Sequence, residues 1–158
     1  MPVNKLQTVE ELKRTIAQWQ LKNNIVVFTN GCFDILHTGH IHILEEAKKQ
    51  GHKLIVALNT DASVKKLKGE NRPINAELDR AKVISAIEAV DAVVLFNEET
   101  PLTLIKILQP DVLVKGGDYT KNNIVGAKEI ESWGGKVVII PFLQGFSSTS
   151  IIEKMKKA

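Results

Sequence analysis

Five short apolar runs, each rich in β-branched residues, constrain the fold of this 158-residue chain more than any other feature of its sequence. The runs are nearly continuous rather than alternating, which is typical of strands that are buried on both faces of a sheet. Helix-like stretches separate the runs, and strands that alternate with helices predict a parallel sheet with right-handed crossovers. The runs are IVVF at 25–28, LIVAL at 54–58, AVVLF at 92–96, DVLV at 111–114 and VVII at 137–140.

The segments between the runs predict the helices. We expect Thr100 to cap a helix over residues 101–108 and Pro101 to occupy its first position. Residues 59–75 form the longest polar connection, where we expect a mobile loop. The prediction is one α/β domain of Rossmann-like type over residues 1–158, with a five-stranded parallel sheet, helices on both faces and an N-terminal helical extension at 1–24. The other helices are expected at about 39–50, 76–88 and 123–133 and after the SSTS stretch at 147–150.

The composition excludes several classes of protein. With 44% hydrophobic and 25% charged residues, the chain has the balance of an ordinary soluble domain. Its net charge of +3 does not call for a nucleic-acid partner, and no apolar run approaches the length of a membrane span. The single cysteine, Cys32, cannot form an internal disulfide. Because the amphipathic N-terminus also differs from a signal peptide, we expect a cytoplasmic protein without a membrane partner.

Ligands of parallel sheets bind beyond the carboxyl ends of the strands, so the loop TNGCFDILHTGH after the first strand is a candidate site. We predict that Thr38 caps the next helix and that Gly39 lets a ligand approach. His37 and His40 would then donate to an anion at the helix N-terminus. Alternatively, His37 caps the loop and His40 is a half-buried helix residue. A zinc site of Cys32, His37 and His40 is a further alternative, although its spacing matches no common zinc pattern.

The loop after the second strand, NTDASVKKLKGENRPIN, is rich in basic residues. Cations at the carboxyl end of a strand suit a polyanionic ligand, and the fork of an arginine suits phosphate. The alternative is a solvated helix followed by a turn. The basic residues are Lys65, Lys66, Lys68 and Arg72.

Two further polar clusters follow the fourth and fifth strands. In VKGGDY, at 114–119, Gly117 permits close approach of a ligand to the backbone, and the carboxylate of Asp118 can accept hydrogen bonds from ribose hydroxyls. The alternative is that this sequence forms an ordinary turn. GFSSTSII, at 145–152, carries a helix-capping signature that also offers donors to phosphate. Its hydroxyl residues are Ser147, Ser148 and Thr149.

The quoted motifs together resemble a known family. GCFDILHTGH is similar to the first motif of the HxGH nucleotidyltransferases, with His37, Gly39 and His40 in the H-x-G-H positions, and GFSSTSII resembles their C-terminal motif. With LNTDASVKKLKG, RPIN, EAVDAVVLF and VKGGDY, the chain resembles the D-glycero-β-D-manno-heptose 1-phosphate adenylyltransferases over residues 26–154. Lys115 stands where the related cytidylyltransferases often have an apolar residue, which favours the heptose enzymes.

The resemblance implies that a heptose 1-phosphate attacks the α-phosphorus of ATP, giving ADP-heptose and pyrophosphate. It implies His37 and His40 as donors in catalysis, with Lys68 and Arg72 as a phosphate clamp, and Arg80 as a further candidate for that clamp. It also implies Mg²⁺ bound with ATP, no metal held by the protein itself, a homodimer, and a stand-alone form without a fused sugar kinase. The implied nucleotide- and phosphate-binding residues are Thr29, Asn30, Gly31, Cys32, Phe33, Gly39, Lys65, Gly117, Asp118, Ser147, Ser148 and Thr149.

Three alternative functions stay open at this point. A cytidylyltransferase for a polyol or amino-alcohol phosphate, such as glycerol 3-phosphate, would use the same mechanism. A nucleotide-sensing module would share the fold without turnover. A zinc-site protein would use the histidines as ligands.

Overall fold

The computed structural model describes residues 4–117 and 119–158 of the chain. Its centre is a sheet of five parallel strands, one for each apolar run. The predicted α/β architecture is therefore confirmed. The strands are β1 Val26–Gly31, β2 Lys53–Asn59, β3 Ala92–Phe96, β4 Val112–Gly116 and β5 Lys136–Ile140.

Within the described residues, seven α-helices and one short 3₁₀ helix connect or flank the strands. The longest, α1, has 13 residues, and no described helix is long and apolar enough to cross a bilayer. The helices are α1 Val9–Leu21, α2 Thr38–Lys48, α3 Asp61–Lys68, α4 Glu77–Ser85, α5 Leu102–Leu108, α6 Ala127–Ser132 and α7 Ser148–Lys157, with the 3₁₀ helix at Lys121–Asn123.

The connections differ from the prediction in several places. The expected mobile loop over 59–75 is wrong, because its first half is α3, capped by the Thr60 hydroxyl. The expected helix over 123–133 is interrupted by left-handed Gly126, and only α6 remains helical. Pro101, not Thr100, stands at the cap position of α5, and α7 begins inside the SSTS stretch with Ser147 as its cap.

Helices cover both faces of the sheet, as predicted. Side chains of one face, such as Phe28 and Leu113, pack with α1, α5 and α6, whereas those of the other face, such as Val27 and Val114, pack with α2 and α4. Both sets are almost fully buried, which explains why the strands are apolar without alternation. α1 belongs to the core through Leu12 and is more than an appended helix. The assignment of residues 1–158 to one domain, with 1–24 as an extension, stays a prediction.

Two aspartates anchor the amino ends of the sheet. Asp91, just before β3, accepts from the backbone N–H of Leu54 in β2. Asp111, just before β4, accepts in the same way from Val26 in β1. Each carboxylate thus accepts a hydrogen bond from a backbone N–H at the start of the neighbouring strand. These bonds help to fix the register of the strands at this edge of the sheet.

The sheet order β3-β2-β1-β4-β5 places its switch point between β1 and β4. The backbone register of these two strands ends at Phe28 and Leu113, although both strands continue. Beyond that point the Thr29 hydroxyl donates to the carbonyl of Val114 at 2.9 Å and replaces the backbone bond. A crevice therefore opens between the carboxyl ends of β1 and β4, where ligands of such sheets bind.

We predict that Thr29→Val lowers the free energy of unfolding by about 1–3 kcal/mol, because the buried carbonyl of Val114 loses its donor while the side-chain shape is kept. Urea unfolding followed by circular dichroism measures the change. Thr29→Ser keeps the hydroxyl and serves as the control. An unchanged midpoint for Thr29→Val would show that this hydrogen bond does not stabilise the sheet.

Candidate functional site

The crevice at the switch point holds a cavity of about 510 Å³. Its floor is formed by the ends of β1 and β4, and its walls come from the helices on both faces of the sheet. His40 lies in the wall on the α2 side, and Lys115 lies at the end of β4. The predicted convergence of the strand-end loops at one edge is therefore present, but the loops do not contribute equally.

The two histidines of the HTGH stretch build the start of α2. His37, not Thr38 as predicted, is the cap, because its Nδ1 accepts from the backbone N–H of Gly39 at 3.1 Å. The Nδ1 of His40 accepts in return from the backbone N–H of His37 at 3.3 Å. The rings stack with their centroids 3.8 Å apart. This reciprocal arrangement is a capping box in which both side chains are imidazoles.

These hydrogen bonds fix the protons of both rings. Each Nδ1 accepts a backbone hydrogen bond, so in the neutral ring the proton is on Nε2. Burial lowers the pKa of His37, and burial, followed by the proximity of His37 and Lys68, lowers the pKa of His40 to about 4. Both rings are therefore neutral near pH 7 and present an Nε2–H donor. The Nε2 of His37 is buried without a hydrogen-bond partner among the described residues.

Close packing explains the glycines around the histidines. A Cβ on Gly39 would lie 2.9 Å from the His37 ring and 3.1 Å from Phe146, so Gly39 makes room for side chains of the protein itself. A Cβ on Gly31 would lie 2.8 Å from the ring of Phe33. That ring, on a residue with a φ of 46°, tilts against His40 with the centroids 5.1 Å apart. The glycines thus allow the aromatic stack that buries His40.

The start of α7 reaches the same region. Ser148 lines the cavity, and its hydroxyl donates to the carbonyl of Ile35 at 3.0 Å. Ser147 caps α7 by accepting from the backbone N–H of Ser150, which makes its hydroxyl a structural group. Thr149 is exposed on the first turn. Of the three predicted hydroxyl residues, Ser148 therefore forms part of the cavity wall.

Asp34 joins the histidine loop to the RPIN segment. Its side chain is almost fully buried and accepts from the backbone N–H groups of Ile74 and Asn75, each at 2.8 Å, and from Arg72 Nε at 3.0 Å. Burial alone would raise the pKa of Asp34, but these donors outweigh it and hold the pKa below its usual value. Arg72, predicted to clamp phosphate, is thus bound by Asp34, while its Nη2 is buried without a partner among the described residues.

The lysines of α3 occupy different positions. Lys68, in the last turn, lines the cavity close enough to His40 to lower the pKa of that ring. Lys65 and Lys66 are exposed on α3 and do not form part of the cavity wall. Of the lysines on α3, only Lys68 therefore lies at the cavity. Lys65 and Lys66 agree with the alternative interpretation, in which this segment is a solvent-exposed helix.

Arg80 does not reach the cavity, although the sequence offers it as a clamp residue. Its side chain is fully buried, and it donates to three backbone carbonyls, those of Cys32, Asn59 and Asn75, at 2.8 to 3.0 Å. A fourth donor is bonded to the carboxylate of Asp61 at 2.8 Å. Arg80 therefore ties the ends of β1 and β2 to α3 and to the RPIN segment.

The remaining predicted binding residues lie at the strand ends. Thr29 and Asn30 both line the cavity, although the hydroxyl of Thr29 is used within the sheet. The backbone N–H of Gly117 donates to the carbonyl of Ile140. Asp118 lies outside the described residues. The thiol of Cys32 contacts Asn59 Oδ1 at 3.7 Å, and no described cluster of three or more His, Cys, Asp or Glu side chains could hold a metal ion.

Lys115 and two aromatic residues are parts of the cavity that the sequence prediction missed. Lys115 lines the cavity, and its Nζ lies 5.4 Å from the centre of the Tyr119 ring. Tyr119 and Phe142 are exposed aromatic residues that line the cavity next to Gly117. The available signal was the lysine itself, a charged residue that directly follows the apolar run DVLV.

We predict that the ring of His40 titrates near pH 4, and NMR titration of the imidazole signals measures this. Because the unfolded chain takes up that proton at about pH 6.5 and the folded chain does not, the free energy of unfolding should fall as the pH drops from about 6.5 to 4. His40→Asn removes the titrating group and should flatten this dependence. A folded-state pKa above 6 for His40 would contradict the neutral, capping ring.

Comparisons with known proteins identify relatives that match most of this chain. A bifunctional protein HldE of Koribacter versatilis is 55% identical over 150 residues, which is 95% of this chain and 31% of that protein. The HldE of Gluconobacter oxydans is 49% identical over 97% of this chain and 32% of its own length. The chain therefore spans about a third of the length of these curated relatives.

Solved structures and a family model extend the comparison. A lipopolysaccharide core biosynthesis protein from Thermoplasma volcanium shares 33% identity and a TM-score of 0.61, over 76% of this chain and 97% of that one. Pantothenate synthetase from Thermus thermophilus, at 18% identity and a TM-score of 0.65, shares the fold over 98% of this chain and 70% of its own. The cytidylyltransferase-like family model matches residues 28–154, from β1 into α7. The chain belongs to the cytidylyltransferase-like family, as its HTGH and SSTS motifs predict.

Proposed function

We propose that this chain is an adenylyltransferase that transfers AMP from ATP to D-glycero-β-D-manno-heptose 1-phosphate, releasing pyrophosphate. The observation that carries the proposal is the ring of His40 in a cavity that Ser148 of α7 also lines, with its Nδ1 bound to the backbone N–H of His37 so that Nε2 is the donor. The HldE relatives and the name of the Thermoplasma volcanium protein, which refers to lipopolysaccharide core synthesis, support the sugar substrate.

In this reaction an oxygen of the sugar phosphate attacks the α-phosphorus of ATP in line, and pyrophosphate leaves. The attacking oxygen is already anionic, so the reaction needs neither a nucleophilic side chain nor a strong base. Catalysis then comes from positioning the two substrates and from stabilising charge that develops on the phosphoryl oxygens. The low pKa of His40 suits this role, because a ring that stays neutral keeps its Nε2–H directed by the bond at Nδ1.

The two histidines have different parts in the proposed mechanism. His40, in the cavity wall, donates to the α-phosphoryl oxygens of the nucleotide. His37 stacks behind it, and its buried Nε2–H is a donor for a phosphate that enters between α2 and α7. Ser148 and the free backbone N–H groups at the start of α7 bind the β- and γ-phosphates that leave.

Lys68 and Arg72 are proposed to bind the phosphates from the side of α3. Lys68 is exposed at the rim and can reach a triphosphate as a mobile charge. Arg72 is held by Asp34 through Nε and does not line the cavity, so its buried Nη2 could donate to a phosphate only after the side chain moves. We propose Asn30, Cys32 and Phe33, which line the cavity, as the wall against which the nucleotide lies.

Mg²⁺ is proposed to enter with ATP and to neutralise charge on its phosphates. The donor set of the cavity fits this route, because the described residues offer no carboxylate cluster and Asp34 is occupied by Arg72 and two backbone donors. Such an ion would be held mainly by phosphate oxygens and water. From the resemblance alone we also propose a homodimer.

The experiment that tests the proposal is pyrophosphate release with ATP or CTP across a panel of phosphate acceptors. We expect turnover with ATP and heptose 1-phosphate. A cytidylyltransferase is the second candidate, favoured by the family model, and it would instead show turnover with CTP and glycerol 3-phosphate or a similar acceptor. Binding of ATP without pyrophosphate release from any acceptor would identify a nucleotide-sensing module.

Removal of the His40 donor should slow the chemical step. We expect His40→Ala to reduce kcat by about 10²–10³, the usual loss for one donor to a transition-state oxyanion. Steady-state kinetics on a variant with native circular dichroism measures this. His42→Ala, two residues further along α2, is the matched control and should keep its activity. A near-normal kcat for His40→Ala would remove His40 from the catalytic groups.

Removal of the Lys68 charge should weaken nucleotide binding rather than slow chemistry. We expect Lys68→Ala to raise the KM for ATP by about threefold to tenfold, because an exposed charged contact contributes little more than an ordinary hydrogen bond. Lys66→Ala, on the same helix but outside the cavity wall, is the control. Equal KM values for the two variants would argue against a contact between Lys68 and substrate.

A further inference from the structure

The cavity has two chemically different sides, one on each face of the sheet. We call the side formed by His40, Ile43 and Ser148 the histidine wall, and the side formed by Lys115, Asn123 and Ile124 the lysine wall. Ile43 packs in the core cluster of α2 and α4, whereas Ile124 packs in the cluster of α1, α5 and α6. The two walls therefore stand on opposite faces and meet above the splayed ends of β1 and β4.

Strand geometry assigns Lys115 to the lysine wall. Side chains alternate along a strand, so Lys115 points to the same face as Leu113, which packs in the cluster of α1, α5 and α6. Gly116, the next residue, faces α2, because a Cβ there would lie 2.5 Å from Ile43. The ammonium group of Lys115 thus enters the cavity from the face opposite His40.

The charge of Lys115 has no carboxylate partner among the described residues, where no ion pair includes it. The ring of Tyr119 lies near the ammonium group, with Nζ 5.4 Å from the ring centre. Burial lowers the pKa of Lys115. A desolvated ammonium without a counter-charge is costly, and an anionic ligand in the cavity would offset that cost.

The histidine wall already supplies donors for the phosphates of a nucleotide, from His40, Ser148 and the start of α7. An in-line transfer requires a second phosphate, that of the acceptor, to approach the α-phosphorus from the opposite side. The opposite wall has one cation, Lys115, and the same cavity is lined by other polar groups that suit sugar hydroxyls. Asn123 and the exposed carboxylate of Glu99 are such groups.

We propose that Lys115 binds the phosphate of the acceptor substrate and makes the lysine wall the acceptor subsite of the cavity. This inference rests on the proposed transfer to a sugar phosphate and adds the residue that selects for the acceptor. Lys115 orients the attacking phosphate, whereas the histidine wall holds the nucleotide.

Lys115→Met tests the inference, because methionine keeps the unbranched apolar stem and removes the charge. We expect the KM for heptose 1-phosphate to rise about 10- to 100-fold, the range for loss of a charged hydrogen bond. The KM for ATP should change by less than about threefold, since no proposed nucleotide contact is lost. Lys128→Met, an exposed lysine of α6 outside the cavity wall, is the matched control. A larger effect on ATP than on the acceptor, or no effect on either, would overturn the inference.

A binding measurement separates this inference from the proposed reaction. Calorimetric titration of heptose 1-phosphate, with α,β-methylene ATP present to prevent turnover, reports acceptor affinity directly. We expect binding to the wild-type protein and loss of it in Lys115→Met, with Lys115→Gln as a second variant if the first does not fold. If this pattern appears without pyrophosphate release from ATP, the reaction is wrong and the subsite stands. If pyrophosphate is released and Lys115→Met binds the acceptor normally, the subsite is wrong and the reaction stands.

Discussion

The buried guanidinium of Arg80 is the interaction on which the geometry of the cavity depends. It donates to carbonyls at the ends of β1 and β2 and to the RPIN segment, and it pairs with Asp61 at the start of α3. Carbonyls at strand ends lie beyond the backbone ladder and need other donors when they are buried. One side chain supplies them here, so the loops that carry the histidine, lysine and arginine groups share a common anchor. Asp34 provides the complementary anchor by accepting the backbone donors of the same segment.

The architecture follows from the sequence because each strand is buried on two faces and each crossover contains a helix. The sequence alone is enough to predict where the strands lie and that the loops after them meet at one edge of the sheet. The helix boundaries were harder to predict from the sequence. Thr38 is the better cap by propensity, yet His37 takes that position, since its ring is also stacked on His40 and Phe146. A tertiary contact of this kind leaves no local signal in the sequence.

Among the candidate site residues, His40 of the HTGH motif lies in the cavity wall, but sequence could not rank the basic residues. Lys65, Lys68 and Arg80 look alike in a list of charges, whereas in the fold one is exposed, one lines the cavity and one is fully buried. Their roles depend on which way a helix faces and on which carbonyls lie nearby. Lys115 was noticed in the sequence but not assigned to the site, because its place in the cavity depends on where β1 and β4 part.

The helix α7 differs from the other α-helices in having no buried residue, although all ten of its residues are described. It is attached through its first turn, by the bond from Ser148 to Ile35 and by Phe146 against the ring of His37. Its apolar residues Ile151 and Ile152 are only half-buried, and a helix without a fully buried side chain has a low local free energy of opening. In the proposed reaction, part of the energy of binding a phosphate at its N-terminus would go into holding the helix in place, which would weaken the hold on the departing pyrophosphate and favour its release.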